Sequence, residues 1–271
     1  MRSQHRKYSI GLLLTAAVLL PLVAAAPEKS PLPPADPNAV IATPEEQQKA
    51  LKLAAEDHVA LLTMLLERHD RTVRDYTGIF HKQEKIGGRL TPGQKIAFRF
   101  RPQPFSVCME WLENPVGADR LLYVEGRHGG KMLAHPTGLM SWMKAVKLDP
   151  EGKQALKSTL RPVTMFGFRN SLVQTIKVYR EAAEKGHLQT AFSGPETIEG
   201  RKYFTIERFL PKDKYENPQL TIRIDMEYLL PTQITTADAQ GDLQSHYAWT
   251  DLKFNTNLTE GDFTPKACNL E

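Results

Sequence analysis

The feature of this sequence that most constrains its fold is a series of short runs in which apolar and polar residues alternate, separated by turn residues. In residues 95–101, for example, Ile96, Phe98 and Phe100 occupy one face of an extended chain and basic residues the other. Such alternation indicates half-buried β-strands. The short turns between the runs predict antiparallel neighbours in one strongly curved sheet. About ten strands are predicted, near residues 76–86, 95–101, 105–112, 121–125, 131–135, 188–192, 203–209, 220–225, 232–237 and 244–254.

Two segments follow the helical period instead. Thr43, Pro44 and Glu46 form a helix start signal with a capping box, and apolar residues then recur at helical spacing to about Val73. A single helix is predicted there, and a second one at about residues 171–183. The chain is therefore predicted to be mainly β with two main helices, an α+β protein.

Residues 137–168 interrupt the series of strands. They contain much apolar surface, including Trp142, Met143 and Phe166, but no clear period. A segment of this length is typical of a lid or binding loop. The alternative is a short buried helix that completes the core.

The first 25 residues have the three-part plan of a secretory signal peptide. Arg2, Arg6 and Lys7 precede the apolar run 10–23, and small residues follow. The run is short for a bilayer span, and a retained anchor is the alternative to cleavage. We predict a periplasmic or secreted protein with a signal peptide (1–25), a Pro-rich tether (26–42) and a single domain (43–271).

Charge and cysteine content narrow the possible partners. Without the leader the chain keeps 32 basic and 31 acidic residues, so its net charge gives no reason to expect a nucleic-acid partner. No other apolar stretch approaches a membrane span. The two cysteines, Cys108 and Cys268, could form a disulfide in an oxidising compartment or remain two independent thiols.

Catalytic signatures are scarce. The sequence has no Gly-x-Ser-x-Gly elbow, no phosphate-binding loop and no pair of histidines at zinc-protease spacing. His135 follows a predicted strand and is the most site-like histidine, although a structural hydrogen bond explains it as well. We predict no metal and no cofactor.

Several short motifs, in order, resemble the DUF1571 family of exported bacterial proteins. They are YTGIFHKQEKI at 76–86, PFSV at 104–107, Trp111, LYVEG at 122–126, AHP at 134–136 and LDP at 148–150. The C-terminal part resembles the wider superfamily of periplasmic lipoprotein carriers that includes LolA, LolB and the sensor RseB. Its matching residues are Asp225, 230–231, Asp238, Gly241, 251–255, Leu258, Phe263 and Pro265. The Pro-rich tether and Cys268 depart from that pattern.

The resemblance implies a half-closed antiparallel barrel with helices plugging its open side. In the carriers the cavity holds the acyl chains of a lipoprotein. We therefore predict a non-enzymatic protein that binds a lipid or lipid-modified protein in an apolar cavity. The predicted lining is Phe98, Phe100, Val107, Met109, Trp111, Trp142, Met143 and Phe166, whereas Arg99 and Arg101 should face away.

Two alternatives stay open. One is an interaction or sensor module, RseB-like, with a filled core and envelope proteins as partners. The other is a hydrolase that uses His135 with a nearby carboxylate.

Overall fold

Strand β1 (Tyr76–Ile86) lies near the middle of the sheet in the computed structural model, which describes residues 36–271. All pairings in the sheet are antiparallel, and its strands follow the order β7-β6-β5-β4-β3-β1-β12-β11-β10-β9-β8. The two end strands do not pair, so the curved sheet stays open. The other strands are β2 (Arg89–Leu90), β3 (Gln94–Pro102), β4 (Phe105–Glu113), β5 (Ala118–Val124), β6 (Met132–Pro136), β7 (Val146–Leu148), β8 (Gln189–Ile198), β9 (Arg201–Phe209), β10 (Gln219–Asp225), β11 (Leu230–Ala237) and β12 (Leu243–Phe254).

The predicted open, curved antiparallel sheet is confirmed. The structure adds β2 and β7, which are two and three residues long and therefore too short to show a period in sequence. Strand β8 extends past the predicted 188–192 to Ile198, because Glu196, Thr197 and Ile198 pair with β9 again after a register shift at residues 194–195. An edge strand tolerates such a shift and a proline.

The first predicted helix is two helices. Helix α1 (Pro44–Glu56) has the expected capping box between Thr43 and Glu46. The next residue, Asp57, separates it from α2 (His58–Thr72). The Asp57 side chain accepts hydrogen bonds from the backbone N–H groups of Val59 and Ala60 and so caps α2. The break follows from this side chain, because an aspartate that caps the next helix cannot keep helical geometry itself.

Helix α3 (Phe168–Glu184) packs on α2, and together they cover part of the inner face of the sheet. Phe168 is fully buried between Tyr76 and Trp249, with ring centroids 5.1 Å from each. Rings from both halves of the sheet thus meet at the start of α3, where they form the main core.

The end of the predicted tether contacts this domain. Residues 37–40 form a 3-10 turn in which Val40 is buried, and the Val40 carbonyl accepts a hydrogen bond from the buried Arg68 guanidinium at 2.9 Å. The Ala42 N–H donates to the Glu227 carbonyl at 2.7 Å. Residues 36–42 are therefore packed, because these backbone groups find partners on the domain. The predicted signal peptide lies outside the described residues.

The C-terminal residues cover part of the outer face. Cys268 is joined to Cys108 of β4 as a disulfide, and Phe263 and Leu270 are buried beside it. Arg99 donates to the Ala267 carbonyl at 2.7 Å, and the Arg101 guanidinium lies 5.4 Å from the Phe263 ring centroid. Both arginines lie on the face opposite Phe98 and Phe100, as the alternation of β3 predicts.

Candidate functional site

A cavity of about 180 Å³ lies on the inner face of the sheet, where helices α2 and α3 leave β1 and β3–β6 uncovered. The sheet forms its floor, and residues 149–167, which we call the covering segment, form its roof. The floor is mostly apolar, with Phe80, Ile96, Met109, Leu121, Met132 and Trp249 among its residues. The roof contributes Pro150, Ala155, Val163, Met165 and Phe166.

The covering segment has little regular structure. It contains 3-10 turns at residues 155–158 and 163–165, both short. Side-chain contacts attach its ends: Lys131 pairs with Asp149 at 2.9 Å, and Asn170 donates to the carbonyls of Thr164 and Phe166. The covering segment is therefore not the buried helix of the second sequence interpretation, and its role as a lid or binding loop stays a prediction.

Three of the eight residues predicted to line the cavity do so: Met109, Trp111 and Phe166. The Trp111 indole N–H donates to Gln94 at 2.7 Å, which holds the ring at the cavity wall. Met109 and Trp111 lie in β4, on the part of the inner face that the helices do not cover, and Phe166 lies on the roof.

Three others, Phe98, Phe100 and Val107, are buried but packed. The rings of Phe98 and Phe100 lie 5.2 and 5.6 Å from Phe166 and also contact Tyr76. They point to the same face as the lining residues, but the start of α3 fills the space above them. Period-two alternation assigns a face and cannot locate a neighbouring element on that face.

Gly167 makes that close packing possible. It precedes α3 with φ 105°, a region that favours glycine, and a Cβ there would lie 3.0 Å from both the Phe100 ring and the Tyr76 hydroxyl. The Tyr76 hydroxyl accepts a hydrogen bond from the Phe168 N–H at 3.0 Å, and burial raises the pKa of Tyr76.

The last two predicted residues lie away from the cavity. Trp142 and Met143 are in the loop before β7, and Trp142 is 83% exposed. Leu139 and Met140 in the same loop are also exposed. The loop is part of the predicted 137–168 segment, but only the portion after β7 turns back over the sheet.

A charged cluster that the sequence reasoning missed forms one wall of the cavity. The carboxylate of Glu84, 1% exposed, pairs with the Lys82 ammonium at 3.2 Å and accepts hydrogen bonds from the Tyr247 hydroxyl at 2.5 Å and the Leu160 N–H at 3.2 Å. Lys82 also donates to the Thr159 hydroxyl at 3.1 Å. The cluster thus ties the roof to strands β1 and β12.

Burial and the adjacent Glu84 carboxylate raise the pKa of Tyr247, so its hydroxyl remains a donor at neutral pH. The Arg161 guanidinium lies 5.5 Å from the centroid of the same ring. Arg161 is exposed and yet lines the cavity, so it marks where the cavity opens to solvent.

The sequence did contain a signal for this wall. In β1, Lys82 and Glu84 are in phase with Tyr76 and Phe80, and therefore on the buried face. Two charged residues on the core face of a strand require partners. Reading the phase of β1 as closely as that of β3 would have placed them inside.

His135 lies apart from the cavity, on the outer face of β6. Its Nδ1 is 2.7 Å from an Asp119 carboxylate oxygen and 3.0 Å from the Arg120 guanidinium, whose other nitrogen donates to the Asn269 carbonyl. These contacts connect β5 and β6 to the C-terminal residues. Within residues 36–271 no cluster of three or more His, Cys, Asp or Glu side chains is arranged to hold a metal ion.

Fold and site together define a class: an open antiparallel half-barrel with a roofed apolar cavity. Residues 73–270 match the model of DUF1571, described as a protein of unknown function. The chain belongs to the DUF1571 family, which confirms the resemblance found in the sequence. No curated protein sequence matches it. Within the described part of the chain, no helix is long and apolar enough to cross a membrane.

Three of the solved structures that match this chain do so with low similarity. A DUF1329 family protein from Desulfovibrio piger is 14% identical, with 79% of this chain and 100% of that chain covered and a TM-score of 0.38. Lipoprotein LppX of Mycobacterium tuberculosis is 11% identical, with 76% and 99% covered and a TM-score of 0.41. A chain of the Pseudomonas aeruginosa MucA/MucB complex is 13% identical, with 76% of this chain and 60% of that chain covered and a TM-score of 0.43. Values this low support no transfer of function.

Proposed function

We propose that this protein is a non-enzymatic binding protein that takes an acyl chain of a lipid, or of a lipid-modified protein, into the cavity beneath the covering segment. The observation that supports this most is the cavity itself, an apolar floor and an apolar roof with unfilled space between them. We further propose that it acts outside the cytoplasm, as the plan of residues 1–25 indicates.

The size of the cavity sets what it can hold. A cavity of about 150 Å³ is known to accommodate benzene, so the 180 Å³ here corresponds to roughly six to eight carbons of a chain. Burying that many methylene groups contributes at most about 5–6 kcal/mol. A longer chain, or several, requires the covering segment to move outward.

The weak attachment of the covering segment supports such movement. It is bound at one end by an exposed ion pair, which contributes little to stability. Near its middle, Thr159 and Leu160 contact the Lys82–Glu84 pair. Outward movement of residues 149–162 therefore breaks a few polar contacts and leaves the sheet intact, while Phe166 can stay packed on Phe98 and Phe100.

The interaction-module alternative has one observation in its favour. Phe98, Phe100 and Val107 are packed core residues, so a large part of the predicted cavity is filled. A hydrolase that acts on a ligand in the cavity has less support, because His135 lies on the outer face of the sheet.

Native mass spectrometry tests the proposal. The mature protein should form a one-to-one complex with a fatty acid, a lysophospholipid or an acylated peptide. Ala134→Phe places a ring in the cavity and should abolish the complex. Ala183→Phe, at an exposed position of α3, is the matched control and should leave it unchanged. Absence of any complex with all three ligands contradicts the proposal.

A further inference from the structure

The charge of the cavity wall is not balanced. Among the lining residues only Lys82, Glu84 and Arg161 are charged, two basic and one acidic. Lys82 and Glu84 neutralise each other at 3.2 Å. The remaining positive charge, Arg161, forms no ion pair and no hydrogen bond through its guanidinium with any residue in the range 36–271, and the guanidinium lies over the Tyr247 ring, 5.5 Å from its centroid.

The Thr159 hydroxyl holds the backbone of Arg161 in place, because it donates to the Arg161 carbonyl at 3.1 Å. Ser158 and Thr159 precede Arg161 on the covering segment, and both line the cavity. The Thr159 hydroxyl is already held near Lys82 and also accepts a hydrogen bond from the Arg161 backbone N–H. A guanidinium without a counter-charge at the mouth of an apolar cavity is free to donate hydrogen bonds to a carboxylate or phosphate.

The buried Lys82–Glu84 ion pair also supports a binding role for this wall. A Lys–Glu pair in an apolar interior costs about as much in desolvation as it gains, so packing alone does not explain it here. Its effect in this wall is to hold Thr159 and Leu160, and with them the backbone that positions Arg161.

We infer that the cavity selects anionic amphiphiles: an apolar chain enters the cavity, and its carboxylate or phosphate binds the Arg161 guanidinium at the mouth. This inference rests on the proposed function and adds the class of headgroup. A ligand with a neutral head loses the charge-assisted bond, and a cationic head is repelled.

Three ligands with the same apolar chain separate binding of the chain in the cavity from recognition of the head by Arg161. Octanoate, octanol and octyltrimethylammonium match the cavity in length and differ in head charge. By titration calorimetry at about pH 8, where the carboxylate is ionised, octanoate should bind roughly tenfold more tightly than octanol, and the cation least. Added salt should weaken only the binding of octanoate.

Arg161→Gln should reduce the affinity for octanoate about tenfold and leave that for octanol within about twofold. Lys157→Gln removes an exposed charge of the same segment that does not line the cavity, and it should change neither affinity. Equal binding of octanoate and octanol, unchanged by Arg161→Gln, overturns the inference and leaves the proposed function standing. Failure of all three ligands to bind overturns both.

Discussion

At the scale of single residues, the environment of each buried polar group determines how it can act. Glu84 and Lys82 sit inside because each satisfies the other, whereas Arg161 stays exposed because no carboxylate faces it within the described chain. Among the residues predicted to bind a ligand, Met109 and Trp111 line the cavity from the inner face of the sheet and Phe166 lines it from the roof. Trp142 lies away from it, since residue type alone does not fix the path of an aperiodic loop. That any of them binds a ligand stays a prediction.

Removal of the Glu84 charge should destabilise the protein. Glu84→Gln leaves the Lys82 ammonium buried without a counter-charge, which costs about 3–5 kcal/mol of unfolding free energy. Urea denaturation measures the change. The control is Glu113→Gln, whose pair with Lys95 is exposed and 3.8 Å long, with an expected loss below about 1 kcal/mol. Equal effects of the two substitutions contradict the description of the cluster.

Stability should fall in mild acid because of His58. Burial lowers the pKa of this side chain, whose Nε2 lies 2.9 Å from the Ala54 carbonyl. The unfolded chain, with a pKa near 6.5, then binds the proton more readily than the folded one. The stability that the uncharged His58 contributes is fully present above about pH 6.5. It is lost as the pH falls through the lowered pKa of His58 in the folded protein.

Denaturation midpoints across about pH 7.5 to 5 measure this effect. In His58→Gln the dependence on pH should be shallower than in the wild type, whatever the stability of the variant at neutral pH. His128→Asn, a substitution in a turn with φ 54° that asparagine tolerates, should retain the slope of the wild type. An unchanged slope in His58→Gln counts against the prediction.

At the scale of elements, the strands could be predicted and their surroundings could not. Alternation is clearest in β1 and β3, where one face is more buried than the other. In β4, part of both faces is buried because the C-terminal residues cover the outer one. The break between α1 and α2 was missed because the apolar period continues across it, and only the side chain of Asp57 marks the boundary. The covering segment could not be predicted in detail, since its position depends on contacts such as Leu160 with Glu84 that join distant parts of the chain.

The cap at Asp57 should contribute measurably to stability. Asp57→Ala removes the acceptor for the N–H groups of Val59 and Ala60, and the expected loss of unfolding free energy is about 1 kcal/mol. Asp57→Asn, which keeps a good capping side chain, should lose less. Chemical denaturation of the three proteins checks this order, and an Ala variant as stable as the wild type would contradict it.

The disulfide should stabilise the domain by closing a long loop. Cys108 and Cys268 are 160 residues apart, and the chain-entropy model gives up to about 5 kcal/mol for such a loop. Cys268→Ser should therefore lower the unfolding free energy by about 2–5 kcal/mol. Amide exchange should also become faster in residues 260–271. Wild-type protein under reducing conditions should match the variant, and a difference between the two would show that the serine has another effect.

At the scale of the whole molecule, an open sheet acquires a cavity because helices α2 and α3 and the covering segment do not fully occupy its inner face. Sequence indicated the sheet and its curvature, and the resemblance to DUF1571 is confirmed over residues 73–270. The volume of the cavity was beyond sequence analysis, because it is what remains after Phe100 and Tyr76 pack around Gly167. Binding of an acyl chain in that space is the central claim.

Photo-crosslinking with a fatty acid that carries a diazirine near its methyl end tests this claim most directly. Peptide mapping should find the label on the cavity walls, in residues 109–121, 132–134 and 154–166. Unlabelled fatty acid should compete for it, and Ala134→Phe should prevent it. Label confined to the outer face around residues 263–270, or spread over the surface without competition, would contradict the claim.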